Sequence, residues 1–307
     1  MQRYRNIPDL PIEISKIVFK YDYFITGKRK LIFRDENNEY DILNAFLLSN
    51  NKLLYSFIDG SFKLLDLHTN TIQLSATTDI EMTNACSLLD GRFATTSLYR
   101  TIKIWNLDTE PEQILTLNSR VGFMGVLPDG RIVFKLNNDT IVNIWNINTS
   151  KPQILTTIDM DDTISLCNEY LIIANSKTIT FYNVLNEKSF SINNRLSRDV
   201  LHQCYTALPN NCIAFNITPH RIQIWNLRTQ IKVDDFTLNE MNAIHLIVLL
   251  PNNNLLIKGL HEKIIIWNPE TSRVEIEFPS QHKMILFIGV SLGKIIFIEA
   301  NSIYTLS

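Results

Sequence analysis

The chain predicts an all-β fold, a seven-bladed β-propeller of four-stranded antiparallel blades, and three observations carry that prediction. The first is a recurring theme. Ile102-Lys103-Ile104-Trp105-Asn106-Leu107-Asp108-Thr109 returns as Asn143-Ile144-Trp145-Asn146-Ile147-Asn148-Thr149, as Ile222-Gln223-Ile224-Trp225-Asn226-Leu227-Arg228-Thr229, and as Ile264-Ile265-Ile266-Trp267-Asn268-Pro269-Glu270-Thr271. All four tryptophans fill one slot of it, and Leu65, Tyr182 and Tyr304 fill that slot in weaker copies. The second is spacing: the anchors stand at 65, 105, 145, 182, 225, 267 and 304, between 37 and 43 residues apart. A period near forty signals stacked supersecondary units. The third is the pattern inside one period, where short apolar runs alternate with tight polar turns and nothing reads as a helix. Antiparallel units of this kind bury their faces against their neighbours around a central channel.

Residues 1–29 stand outside the repeats. Within them Ile14, Ile17, Val18 and Tyr21 fall at i, i+3, i+4 and i+7, which predicts a short amphipathic helix, and Pro11 and Glu13 suit its first turn. One reading makes this helix a cap on a face of the ring. Residues 10–21 also resemble the opening of an F-box, the helical motif that docks substrate receptors onto cullin-type ubiquitin ligases. That resemblance implies an adaptor-docking helix presenting Leu10, Pro11, Glu13, Ile14, Ile17 and Val18, with the adaptor subunit of such a ligase as partner. The later F-box helices are missing, because Gly27 and the next strand arrive too soon.

Lys30-Leu31-Ile32-Phe33-Arg34 is an orphan strand, and the seventh repeat ends at Ser307 with no fourth strand after Tyr304. Pairing the two would remove two exposed edges, so residues 30–307 are expected to form one ring closed by its N-terminal strand. Eight blades, with residues 12–34 as a degenerate first one, is the competing count. The 32 residues from Phe33 to Leu65 are too few for it without losing a strand.

Residues 121–157 show the grammar of one blade, its strands labelled a to d. Val121 to Leu127 is apolar and closes on Pro128-Asp129-Gly130, whose Pro and Gly fit turn dihedrals. Arg131 to Leu136, Ile141 to Ile147 and Gln153 to Thr157 follow, parted by Asn137-Asn138-Asp139 and Asn148-Thr149-Ser150. The a–b turn recurs as Ser49-Asn50-Asn51, Leu89-Asp90-Gly91-Arg92, Leu208-Pro209-Asn210-Asn211, Leu250-Pro251-Asn252-Asn253 and Leu292-Gly293.

These residues resemble the WD-repeat family. Asp59-Gly60-Ser61-Phe62-Lys63-Leu64-Leu65-Asp66 has that family's b–c turn and c strand with Leu in the Trp slot, and Thr101 to Asn106 is nearer still. The resemblance spans residues 30–307 and implies a protein-interaction scaffold. The family's Gly-His pair is absent, Asn mostly replaces the Asp after Trp (Asn106, Asn146, Asn226, Asn268), and only Asp59 and Asp139 stand near its structural Asp. The family's Trp–His–Asp hydrogen-bond network therefore lacks its residues here. Each anchor is expected to be a large buried contact between blades.

Composition narrows the function. The 29 basic and 31 acidic residues, net charge −2, argue against a general nucleic-acid or anionic-membrane binder. No apolar run has the length of a membrane-spanning helix, and the N-terminus lacks the apolar core of a secretory signal. Cys86, Cys167, Cys204 and Cys212 have no zinc-ligand spacing, so buried free thiols in a reducing, cytoplasmic setting are expected, with disulfides the alternative.

Catalytic patterns fail on context. Gly289-Val290-Ser291-Leu292-Gly293 matches GxSxG, but it falls on an a–b turn and no histidine follows Ser291 in the order that chemistry needs. His202-Gln203-Cys204 offers two metal ligands on one strand face with no second pair nearby, and His261-Glu262 lacks the second histidine of HExxH. No phosphate-cradling glycine loop occurs. The expectation is a monomeric non-enzyme with no cofactor or metal.

Function then rests on the face made by b–c and d–a loops, where WD-repeat relatives usually hold partner peptides. Those loops carry Arg100, Arg120, Arg195, Arg198, His220, Arg221, His261 and Lys263, with His282 and Lys283, while the first-blade side shows Glu36, Glu39, Asp41, Asp59, Asp79 and Glu81. The basic arc is read as a site for an acidic or phosphorylated protein segment. Ordinary solvated loops would have the same composition.

Overall fold

The computed structural model describes residues 29–306 except 35–41, 50, 78–80, 108–112, 150, 161, 176, 194–204, 239–242, 260–263, 270, 272, 279–286, 292–293 and 300–301. The helix expected over 11–21 lies outside the described residues. β1 (Arg29–Arg34) comes first. Blade 1 is β2 (Asn44–Leu48), β3 (Lys52–Ser56), β4 (Ser61–Asp66) and β5 (Thr71–Thr77); blade 2 is β6 (Met82–Ser87), β7 (Phe93–Ser97), β8 (Thr101–Trp105) and β9 (Gln113–Thr116). Blade 3 is β10 (Val121–Val126), β11 (Ile132–Leu136), β12 (Ile141–Trp145) and β13 (Gln153–Thr157); blade 4 is β14 (Thr163–Cys167), β15 (Tyr170–Ala174), β16 (Thr178–Asn183) and β17 (Ser189–Asn193). Blade 5 is β18 (Tyr205–Leu208), β19 (Cys212–Thr218), β20 (Arg221–Asn226) and β21 (Ile231–Thr237). Blade 6 is β22 (Ile244–Leu249), β23 (Leu255–Gly259), β24 (Ile264–Asn268) and β25 (Arg273–Phe278). Blade 7 is β26 (Phe287–Ser291), β27 (Lys294–Glu299), β28 (Ser302–Leu306) and, as its fourth strand, β1.

Six blades run in chain order and the seventh reads β1-β28-β27-β26. The orphan strand therefore closes the ring as the edge argument requires. Arg29 lies opposite Leu306, Leu31 opposite Tyr304 and Arg34 opposite Ser302, with a bulge between Leu31 and Phe33. Arg34 Nε donates to Ser302 Oγ at 3.2 Å. The count is seven, not eight.

The packing closes the circle as well. Among the described residues seven apolar clusters form, each straddling one junction between blades. Phe62 and Leu64 of blade 1 meet Phe93 and Trp105 of blade 2. At the last-to-first junction, Tyr55 and Phe57 of blade 1 meet Ile296 and Ile303 of blade 7. First strands of neighbouring blades lie side by side, β2 with β6, β6 with β10 and β26 with β2, so they line the centre. Fourth strands such as β5 lie at the rim and alternate exposed with half-buried residues.

The anchor slot does its expected work at three of four tryptophans. Trp105 and Trp145 are 1% exposed and Trp267 is 7% exposed, whereas Trp225 is only half-buried. Trp105 stacks on Phe93 with centroids 6.2 Å apart and takes Phe62 edge-on at 5.0 Å. Trp267 stacks on Phe236 at 4.7 Å. At three of the four tryptophans a local partner takes the indole N–H, and Trp267 Nε1 is buried without one among the described residues. Trp105 Nε1 donates to Thr95 Oγ1 at 2.8 Å, Trp145 Nε1 to the Thr149 carbonyl at 3.1 Å, and Trp225 Nε1 to Gln223 Oε1 at 2.9 Å.

Cys86, Cys167 and Cys212 are free thiols; Cys167 is buried, and Cys86 and Cys212 are half-buried against the apolar clusters of the blade 2–3 and blade 5–6 junctions. Cys204 lies outside the described residues.

Candidate interaction surfaces

Antiparallel order puts every b–c turn and d–a connection on one face and every a–b and c–d turn on the other. Backbone bonds fasten the first face blade by blade. In blades 2, 3 and 5 the residue leaving the fourth strand donates to its own b–c turn: Leu117 N–H to the Arg100 carbonyl (2.8 Å), Ile158 to Thr140 (2.8 Å) and Leu238 to His220 (2.7 Å). Side chains finish the turns. Asp59 Oδ1 accepts from the Ser61 N–H at 2.9 Å, and Asp139 Oδ1 from the Ile141 N–H at 3.0 Å. Asn175 Oδ1 accepts from the N–H groups of Lys177 and Thr178, both at 2.9 Å. Such turns present side chains from fixed positions.

The structure places the sequence-selected cations in two groups. Arg100 stands in the blade 2 turn at φ 64° and its Nη1 donates to the Asn118 carbonyl at 3.1 Å. Arg120 is exposed just before β10, and its carbonyl accepts from the Asn137 N–H at 2.8 Å. His220 tips the blade 5 turn and Arg221 opens β20. Arg195, Arg198, His261, Lys263, His282 and Lys283 lie outside the described residues, as do Leu10, Pro11, Glu13, Ile14, Ile17 and Val18. Of the acidic set, Asp59 and Glu81 are described, and Asp59 is engaged in capping its own turn.

Sequence reasoning missed the apolar members of this face. Ile58 and Tyr99 tip the b–c turns of blades 1 and 2, and Met160 tips the connection from blade 3 to blade 4; they are 59%, 57% and 61% exposed. The available signal was a large apolar residue at a turn tip where Asn, Asp or Gly is the norm.

The second group lies at the junction of blades 4 and 5, where Ile192, Ile217, Arg221, Gln223, Trp225 and Lys232 line a cleft of about 430 Å³. Alternation on β20 puts Arg221, Gln223 and Trp225 on one face. Across the ladder Gln223 lies opposite Asp235 and Trp225 opposite Lys232, with a bulge between Ile224 and Trp225. The bulge brings Lys232 and Asp235 onto that same face, although three residues apart on a regular strand they would point oppositely. Arg221 grips Asp235 with two bonds, Nε to Oδ1 at 2.6 Å and Nη2 to Oδ2 at 2.7 Å. Lys232 Nζ and Gln223 Nε2 add bonds to Oδ2 at 2.9 and 3.0 Å. Burial by itself would raise the pKa of Asp235; the bonds from Arg221, Lys232 and Gln223 outweigh it and hold the pKa down at about 2.

Elsewhere the setting does not favour the chemistry first suggested by motif. Ser291 ends β26 and lies opposite Lys294 of the antiparallel β27, so Ser291 is followed by a strand and not by the helix that a nucleophile elbow needs. Among the described residues no three His, Cys, Asp or Glu side chains gather as a metal site. What the fold and these surfaces define is a seven-bladed β-propeller with turns fastened to its fourth strands and a cleft at the junction of blades 4 and 5. No family model matches the chain, and no curated protein is detectably similar to it.

Proposed function

We propose that the ring is a rigid scaffold, without turnover of its own, that captures a protein partner on the face of b–c and d–a turns. The observation that supports this best is that Ile58, Tyr99 and Met160 are exposed on that face beside Arg100 and Arg120, whereas the opposite face exposes Leu89 and Leu185. Covering such a side chain is worth roughly 1.5–3 kcal/mol, and aromatic or methionine anchors ringed by polar groups are what interface centres use. Arg100 and Arg120 supply the polar ring, and they suit a partner segment that is acidic or phosphorylated. The test replaces Ile58, Tyr99 and Met160 together by serine. Quantitative mass spectrometry of proteins retained by the immobilised ring is expected to show specific partners lost, with the melting temperature unchanged. An identical retained set would reject the face.

The F-box resemblance of residues 10–21 supports a second reading, a substrate receptor of a cullin-type ubiquitin ligase. On that reading the ring holds the substrate and Leu10, Pro11, Glu13, Ile14, Ile17 and Val18 hold the adaptor. Binding of the purified adaptor by the whole chain, lost on removing residues 1–24, separates it from a free-standing scaffold.

A further inference from the structure

At three junctions the anchor tryptophan is covered, but Trp225 is half-buried and borders the cleft between blades 4 and 5. Two features of that cleft point to a ligand. The first is charge. Arg221 and Lys232 both bind the single carboxylate of Asp235, so the cluster carries one surplus positive charge. Asp235 takes two of the five guanidinium donors and one of the three ammonium donors. The remaining donors belong to side chains 38% and 43% exposed, within reach of a ligand. One monoanion balances the cluster. A dianion would overshoot and set its extra charge beside Asp235.

The second feature is an open strand edge. Among the described residues β17 is the last strand of its sheet and pairs only with β16. The Asn183 N–H donates to the Lys188 carbonyl at 2.8 Å, which sets the phase of the ladder. Phe190 and Ile192 therefore bond inward to β16, while the main-chain groups of Ser189, Ser191 and Asn193 point away from the blade. Ser191 and Asn193 also line the cleft. An extended chain laid along this edge would have a row of backbone partners and, at every second residue, a side chain directed to the cleft. The volume of about 430 Å³ sits at the low end of ligand sites, room for one or two side chains and not for a folded surface.

We propose that this junction is a docking site for an extended acidic segment of a protein partner. The segment adds to β17 as a fifth strand, and one of its Asp or Glu carboxylates enters the cleft and is held by Arg221 and Lys232. This site borders the turn face at Arg221 but uses none of Ile58, Tyr99 and Met160, and it does not depend on the reading given for them.

The experiment uses the whole chain and three synthetic peptides, Thr-Val-Glu-Val-Thr and its counterparts with Gln or phosphoserine at the centre, followed by NMR. The Glu peptide is expected to shift the Trp225 indole signal, identified among the four by Trp225→Phe, and to slow amide exchange at Ser191 and Asn193. The Gln peptide, and the Lys232→Gln variant with the Glu peptide, should each bind about tenfold more weakly, the loss of one charge-assisted bond. Lys232→Gln leaves the Arg221–Asp235 pair in place, so its fold is preserved. The Ile58→Ser, Tyr99→Ser, Met160→Ser variant should bind the Glu peptide undiminished, which keeps failure of one site distinct from failure of the other. The proposal is overturned by no response to the Glu peptide, or by equal binding to Lys232→Gln. Tighter binding of the phosphoserine peptide, or of inorganic phosphate alone, would also overturn it.

Discussion

Asparagine replaces glycine in the turns of this chain. Only nine glycines are present, yet left-handed backbone recurs at Asn51, Asn70, Asn138, Asn168, Asn210, Asn211 and Asn253, with φ between 52° and 63°. Asparagine tolerates that region because its short amide bonds locally to the backbone. Gln230 has no such help and still sits at φ 59° in an exposed turn. Gln230→Gly should therefore raise stability by about 0.5–1 kcal/mol, the strain relieved less the entropy glycine gives up. Gly130→Ala, at φ 86°, should lower it by about 1–2 kcal/mol. Chemical denaturation of the two variants checks both signs. Asp235 gives a pH signature at the same scale. Its folded value of about 2 lies below the ordinary 3.8, so folding favours the ionised form. Its contribution is complete above about pH 4 and disappears as pH falls through about 2. Asp235→Asn should cost about 1–3 kcal/mol at pH 7, and the gap from the parent chain should narrow steadily between pH 4 and 2.

Among the elements, the c strands show how one repeated motif serves two ends. Trp105 fills its junction between Phe62 and Phe93, so Trp105→Ala should cost about 3–5 kcal/mol. Trp225 occupies the same slot but stays half-buried, and Trp225→Ala should cost roughly half as much. Equal losses in urea denaturation would mean that the blade 4–5 junction is packed as tightly as the others. The strands themselves were legible because a period of two within a period of forty leaves little freedom: Val121, Ile141 and Gln153 open strands where the apolar pattern begins. The clasp was legible because an unpaired edge at each end demands a partner. The cleft was not. Arg221 could be picked out as a loop cation, but strict alternation sends Lys232 and Asp235 to opposite faces, and only the bulge before Trp225 unites them. The exposed anchors escaped for a different reason, since one apolar residue in a turn carries no periodicity.

For the molecule as a whole, closure is the property on which rigid display depends, and it is separable from chain order. Leu306 and Arg29 lie directly opposite each other at the ends of paired antiparallel strands, so a short Gly-containing linker can join them as an ordinary hairpin. The joined chain must then be opened elsewhere, and the place of opening distinguishes two accounts of the ring. New ends at Asn186, in the turn between β16 and β17, leave blade 4 built from both ends of the permuted chain, so a blade still sews the circle shut. New ends at Met160, between β13 and β14, leave every blade contiguous and only side-chain packing, such as Val142 and Ile144 against Leu171, to hold that junction. If interstrand pairing across the termini keeps the ring shut, the first permutant should melt within a few degrees of the parent. The second should melt lower, by roughly 3 °C for each 2 kcal/mol lost in a chain of this size, and should exchange amides faster in β13 and β14. Equal melting of the two permutants would show that junction packing alone suffices, and that β1 contributes no more to closure than any other outer strand.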